Sequence, residues 1–267
     1  MTISVILPLV KHPWITGLVL NSGLAIAATL SPKKLLTPAG LLHAWALGVI
    51  IWGTLGWQGY GVIMFYFLVG SAVTRIGMAE KEAAGIAEKR SGARGPENVW
   101  GSALTGTLCA LGIWGIQTFS APSTSPSTSF LITLLVLGYV ASLSTKLSDT
   151  SASEVGKAYG KRTFLITTLK PVPRGTEGAV SLEGTFAGII ASVAIAIVAW
   201  AVGLITPVGI IICIVAAFIA TNAESVIGAT IQERVSWLTN EIVNIINTLI
   251  GAIAAIAMMA TIAAVWG

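Results

Sequence analysis

The chain has 267 residues, is 55% hydrophobic and only 10% charged, and has a mean hydropathy of +0.86. A soluble domain carries about 25% charge, so an ordinary soluble fold is excluded; the apolar runs are continuous rather than alternating, which excludes a membrane β-barrel. The net charge of +4 sits in loops without interleaved aromatics, so it speaks for anionic headgroups beside those loops and not for nucleic acid.

Cys109 and Cys213 each lie inside an apolar run and read as small core residues, with no disulfide or metal role. His12 and His43 are solitary, which leaves zinc without a ligand set. The fold class expected is all-α: a polytopic membrane helix bundle forming one domain over residues 1–267, with active-site loops on the cytoplasmic face.

The gaps between charges set the topology. Lys11 and Lys33 bracket 21 uncharged residues, room for one helix of about 20. The apolar run from there through Ala25-Ile26-Ala27 imitates a signal peptide, but its poorly charged start and its reach to Leu30 favour an uncleaved first span. No Arg/Ser-rich transit segment is present, so a prokaryotic-type membrane is expected. Lys34 and Arg75 bracket 40 uncharged residues, two helices with a turn among Gly53, Gly56, Gly59 and Gly61. Glu97 and Lys146 bracket 48, again two helices, joined by the Ser/Thr/Pro loop 120–129. Glu183 and Glu224 bracket 40, with a turn near Gly203 and Pro207, and 26 uncharged residues follow Glu241. The sum is about eight transmembrane helices, near 13–30, 39–56, 59–74, 99–119, 130–147, 184–203, 207–222 and from 242 on. Each two-helix gap begins and ends on one side. All eleven acids and 14 of the 15 basic residues therefore share a face, which the Lys/Arg bias makes cytoplasmic. A transport path places ionisable groups near mid-membrane; here the middle of every span is uncharged, which favours an enzyme at the interface.

Three loops on that face carry candidate chemistry. In 75–102, residues 78–90 suit a surface helix with Glu–Lys pairs. Glycines flank Arg94 before Asn98, so a guanidinium and backbone N–H groups can converge on an anion, although Asn98 serves equally as a helix cap. The stretch 143–184 holds six basic and four acidic residues between apolar runs. Ser142, Ser144, Thr145 and Ser148 put hydroxyls around the end of the fifth helix, and Asp149 sits where that helix is expected to leave the core. Asp149 and Glu154, with three hydroxyls between them, are hard oxygen donors suited to Mg2+. Gly156-x-x-x-Gly160-Lys161-Arg162, with Lys157 inside it, is read as a phosphate contact, although such a glycine spacing also serves helix packing. Lys170-Pro-Val-Pro-Arg174-Gly175-Thr176-Glu177-Gly178 repeats the theme. Farther on, Asn222 and Glu224 follow a long apolar run and read either as a second metal or phosphate contact or as a cap on a short interfacial helix. Asn240, Asn244 and Asn247 recur at helical spacing and either line the cavity or bond between helices.

The pattern built from Asp149, Thr150, Ala152, Gly156, Gly160 and Lys161, then Lys170, Thr176, Glu177 and Gly178, resembles membrane CTP-using enzymes, namely polyprenol and phytol kinases and phosphatidate cytidylyltransferases. More closely, GSAVTR (70–75), RGPENVWGSA (94–103), SDTSASEVGKAYGK (148–161), PVPRGTEGAVSLEGT (171–185) and NAESVIGATIQ (222–232) are similar to the integral membrane family formerly called domain of unknown function 92, in its plant and cyanobacterial branch of phytyl-phosphate kinases. The paired-Asp signature of the cytidylyltransferases is missing. The resemblance implies phosphoryl transfer from a nucleoside triphosphate, CTP, to a prenyl (phytyl) monophosphate lipid for tocopherol and prenylquinone synthesis, in a plasma or thylakoid membrane. Within it, Asp149, Glu154 and Glu224 are expected to hold Mg2+ and Asn222 to assist. Arg94, Asn98, Lys157, Gly160, Lys161, Lys170, Arg174, Gly175, Thr176, Glu177 and Gly178 are expected to meet phosphates and nucleotide. The competing readings are a kinase for the free alcohol, a CDP-lipid-forming enzyme, and a transporter of an anionic metabolite.

Overall fold

The computed structural model describes residues 12–119 and 125–266; Lys11 and residues 120–124 of the expected Ser/Thr/Pro loop lie outside them. The described elements are α1 (Pro13–Leu30), α2 (Pro38–Val73), the short α3 (Met78–Ala83), α4 (Pro96–Phe119), α5 (Pro126–Tyr159), strands β1 (Thr163–Leu165) and β2 (Ala179–Ser181), then α6 (Leu182–Ala201), α7 (Pro207–Thr230) and α8 (Asn240–Trp266). Five of the long helices open with proline at the first turn, where a missing N–H is harmless, four of them behind Thr37, Ser125, Thr206 or His12. Among the described residues, seven helices are long and apolar enough to cross a membrane.

One of the seven is doubled. As a straight rod, the 36 residues of α2 would reach about 54 Å, far beyond a hydrocarbon core of roughly 30 Å. Gly56, at φ 64° and ψ −159°, breaks it. Gly48 packs against the Asn21 carboxamide, and the Tyr60 hydroxyl donates to Asn21 Oδ1 at 2.9 Å. Those two residues would stand about 18 Å apart on a continuous helix. At the other end, Arg75 Nη2 donates to the Lys34 carbonyl at 3.2 Å, so the two termini of α2 are neighbours. The element is a helical hairpin with limbs 38–55 and 57–73, so the described residues supply eight membrane-length limbs, the number the charge gaps predict.

The other helices surround α5, except α1, which packs mainly on α2. All twelve residues of 137–148 are buried, the signature of a helix packed on every side. Small residues bring the neighbours close: Gly106 of α4 meets Tyr139 and Ser142, Gly188 of α6 meets Ser148, and Gly251 of α8 meets Thr145. The Tyr139 hydroxyl donates to the Gly59 carbonyl at 2.7 Å and ties the α2 hairpin to the same axis.

Two boundaries differ from expectation. α5 runs on to Tyr159 and α7 to Thr230, so Asp149, Glu154, Asn222 and Glu224 stand on helices, not in loops. Hydroxyl and amide side chains there bond their own helix: Ser153 to the Thr150 carbonyl at 3.2 Å, Asn222 to Phe218 at 2.7 Å, Ser225 to Thr221 at 3.1 Å. With no proline to interrupt it, polar composition alone does not end a helix. The surface helix expected over 78–90 stops at Ala83, followed by Gly85 at φ 71°. Residues 160–181 fold back as an antiparallel pair in which Thr163 faces Ser181 and Leu165 faces Ala179.

Candidate active site

At and beyond the end of its buried segment, α5 carries Lys146, Asp149, Glu154 and Lys157. A helix turns about 100° per residue, so positions three apart share a face and positions five apart diverge by about 140°. The four charges accordingly split into two pairs that meet different neighbours.

In the inner pair, Lys146 Nζ lies 2.5 Å from Asp149 Oδ2 and 2.6 Å from Asn244 Oδ1 of α8. Asp149 and Glu224 of α7 are close enough to interact electrostatically with each other and with Lys146, and both line the same cavity. Asn247 of α8 donates its Nδ2 to Glu224 Oε2, while its own Oδ1 is buried without a partner. Three helices thus deliver two carboxylates, one ammonium and two carboxamides to one point.

In the outer pair, Glu154 forms a buried ion pair with Lys81 of α3 and lies 3.6 Å from Lys157. Lys81 Nζ also donates to the Thr74 carbonyl at 2.8 Å, and Lys157 lies 3.4 Å from Glu88. These contacts fasten the segment 74–95 to α5. That segment folds tightly: Arg90, Ser91 and Gly92 have φ of 58°, 48° and 76°, and left-handed backbone costs a non-glycine residue about 1–2 kcal/mol. The Arg90 guanidinium, bonded to Glu97 and at 3.0 Å to Asn98 Oδ1, holds the turn. The Arg94 backbone pairs with residues 35–37, and its guanidinium donates to the Tyr66 hydroxyl at 2.7 Å.

Most of these groups, though neither Lys81 nor Asn247, line one cavity of about 700 Å³ at the charged end of the bundle. It brings together Arg94, Asn98, Asp149, Glu154, Lys157, Gly175, Thr176, Glu177, Gly178, Asn222 and Glu224 from the sequence-predicted set. Gly160, Lys161, Lys170 and Arg174 do not line it. Gly160 ends α5, Lys161 and Lys170 are exposed, and Arg174 donates to the Ala158 carbonyl at 2.9 Å. The expected metal trio does not assemble, since among the described residues no three His, Cys, Asp or Glu side chains are placed to hold one ion; Asp149 and Glu224 meet, while Glu154 lies with Lys81 and Lys157. Sequence reasoning assigned no role to Lys146, Lys81 or Arg90. The signal for Lys146 was its place three residues before Asp149 in a run of hydroxyl-bearing residues; Lys81 and Arg90 looked like ordinary members of a solvated charge run.

Residues 21–252 match the family described as integral membrane protein DUF92. An uncharacterized membrane protein of Synechocystis sp. is 65% identical over 250 residues, which cover 93% of this chain and 92% of that one. Protein VTE6, chloroplastic, of Arabidopsis thaliana is 45% identical over 236 residues, 86% of this chain and 67% of that protein. An uncharacterized membrane protein of Methanocaldococcus jannaschii is 29% identical over 239 residues, 89% and 91% of the two chains. No solved structure matches. With the matched segment running from the Asn21 contact in α1 to the Gly251 contact in α8, the chain belongs to the DUF92 integral membrane family, in its cyanobacterial and plant branch.

Proposed function

We propose that the protein transfers the terminal phosphoryl group of a nucleoside triphosphate, CTP by the resemblance above, to phytyl monophosphate, giving phytyl diphosphate for tocopherol synthesis. The observation that carries this reading is the meeting of Asp149, Glu224 and Lys146 at the base of a cavity whose rim bears Lys89, Arg90, Arg94 and Lys157. The 45% identity to the chloroplast protein VTE6 supports the plant and cyanobacterial branch to which this reading belongs. The Lys/Arg bias of the charged face supports a cavity mouth on the cytoplasmic side, where nucleotide is supplied.

The donor set suits Mg2+, which binds through one or two carboxylates plus phosphates and water. Asp149 and Glu224 would hold it, and the unpartnered Asn247 Oδ1 beside Glu224 is a further hard acceptor in want of a cation. The cavity lining has seven carboxylates and five basic groups, a balance that favours a metal-bound nucleotide over a bare polyanion. When bound, Mg2+ would neutralise charge on the transferring phosphates.

The remaining chemistry belongs to the chain. An oxygen of the lipid phosphate attacks the terminal phosphorus in line, a new P–O–P bond forms, and the bond to the departing nucleoside diphosphate breaks. The attacking oxygen is already anionic near neutral pH, so no histidine or strong general base is required. Lys146 is held by Asp149 and Asn244 within reach of that oxygen, and the arginines of the 74–95 segment clamp the nucleotide phosphates. Incubating purified protein in lipid discs with phytyl monophosphate and CTP tests the reading. Consumption of the monophosphate with appearance of the diphosphate is expected; accumulation of monophosphate from added phytol would overturn it.

A further inference from the structure

The cavity is not sealed on the side of α6 and α7. Thr185, Gly188 and Ile189 line it from one face of α6, and Phe218, Thr221 and Asn222 from one face of α7. Their spacing of three and four residues makes each set a continuous stripe. Thr185, Ile189 and Asn222 are half-buried and Phe218 is 46% exposed, so the same side chains meet both the cavity and the outer surface.

The gap has a cause in packing. α6 is drawn down onto α5 at two glycines: a Cβ on Gly184 would lie 2.5 Å from the Ala152 carbonyl oxygen, and one on Gly188 would lie 2.9 Å from Ser148 Oγ. Seated there, α6 leaves a cleft toward α7, floored by Ser148, Asp149 and Ala152. At the charged end the cleft is closed by the strand pair, where Gly178 packs against Ala229 and the Ser225 carbonyl. At the far end the link 202–206 joins the two helices. The result is a framed window, not a frayed edge.

Its lining is graded. Glu224 and Asn222 lie toward the charged end, about 9 and 12 Å from the α7 terminus at 1.5 Å per residue, with Asp149 of α5 beside Glu224. Phe218 lies deeper, about 18 Å from that terminus, and Ile189 adds an apolar side chain from α6. A water-soluble substrate has no use for an opening onto hydrocarbon. A molecule with an anionic head and a long apolar tail needs one, because it keeps every CH2 of the tail out of water while the head reaches the cavity.

We propose that the cleft between α6 and α7 is the lateral entrance and seat of the isoprenoid chain of a lipid monophosphate, with the phosphate head at Lys146, Asp149 and Glu224. The proposal rests on the phosphotransferase reading for the identity of the head group. The nucleotide then enters from the charged face and the lipid from the bilayer, and the two meet at the base of the cavity.

Ile189→Trp tests it by filling the window from a position without a polar role. Against phytyl monophosphate, KM should rise by about tenfold or more, while kcat/KM for a five-carbon prenyl monophosphate, which reaches the cavity from water, stays within about twofold. Equal losses for both substrates, or no change for phytyl monophosphate, would overturn the assignment. If wild-type protein turns over neither substrate, the phosphotransferase reading falls, and a binding measurement still decides the cleft. For that, Phe218→p-benzoylphenylalanine should photolabel phytyl monophosphate in vesicles well above the lipid-exposed control Val208→p-benzoylphenylalanine. Equal labelling at the two positions would remove the cleft proposal.

Discussion

Glu154 is the residue on which a metal role and an anchoring role part most cleanly, and Lys81→Met separates them. The Lys81 and Glu154 side chains are 0% and 2% exposed. Removing one partner of a buried ion pair strands the other and costs about 3–5 kcal/mol. After Lys81→Met, Glu154 still has Lys157 at 3.6 Å, so the loss should sit near the lower end, about 3 kcal/mol. Glu154→Gln strands Lys81 with only the Thr74 carbonyl and a neutral amide, so its loss should be larger. The double variant Lys81→Met/Glu154→Leu removes both charges and refills the space, and should be more stable than either single variant. At roughly 2–4 °C per kcal/mol for a protein of this size, Lys81→Met lowers the midpoint by about 6–12 °C. Tryptophan fluorescence during thermal unfolding in detergent reads this directly. Activity per folded molecule and its Mg2+ requirement should stay close to wild type in the double variant. Two results would refute the reasoning: single losses that simply add in the double variant, or a sharply raised Mg2+ requirement in Glu154→Gln.

Asp149→Asn and Glu224→Gln should each lower turnover by about 10²-fold or more, the scale of lost transition-state electrostatics, while the protein still elutes as a folded species on size-exclusion chromatography; near-wild-type activity would remove the metal assignment. Lys146→Met leaves Asp149 and Glu224 without their ammonium, so it should reduce both folded yield and kcat, and adding Asp149→Asn should restore yield without activity. Gly56→Ala forces a side chain into a conformation open essentially only to glycine and should destabilise by about 1–3 kcal/mol. Single cysteines at Trp57 and at Lys89, in a background with Cys109 and Cys213 replaced, should be labelled by an impermeant maleimide from opposite sides of sealed vesicles. Labelling from the same side would refute the α2 hairpin and the eight crossings.

The span count was legible in the sequence because charges are excluded from the hydrocarbon, so the gaps between Lys11, Lys33, Lys34, Arg75 and the later charged residues measure crossings directly. Hydropathy by length alone would have missed one, since Gly56 folds α2 without a polar turn. The cavity residues Arg94, Asp149 and Glu224 were legible as charge at the ends of long apolar runs. What composition could not supply was direction. Polar residues 148–159 read as a loop, but their hydroxyls satisfy themselves within a continuing helix, and helical rotation then separates Asp149 from Glu154. Lys81 and Arg90 were hidden in a run of mixed charge. Only tertiary packing sets one beneath Glu154 and the other beside Glu97. Lys161 and Lys170, equally prominent in sequence, point away because the strand pair carries them outward.

The central claim is a phosphoryl transfer between two phosphates at the Asp149–Glu224–Lys146 cluster. Phosphorus-31 NMR of the purified protein in lipid discs with phytyl monophosphate, CTP and Mg2+ tests it most directly. The account predicts that the coupled resonances of a lipid diphosphate and those of CDP grow together, one to one, and that Asp149→Asn gives neither. Inorganic pyrophosphate together with a CDP-linked lipid, or CTP left intact while phytyl monophosphate moves across the membrane, would contradict it.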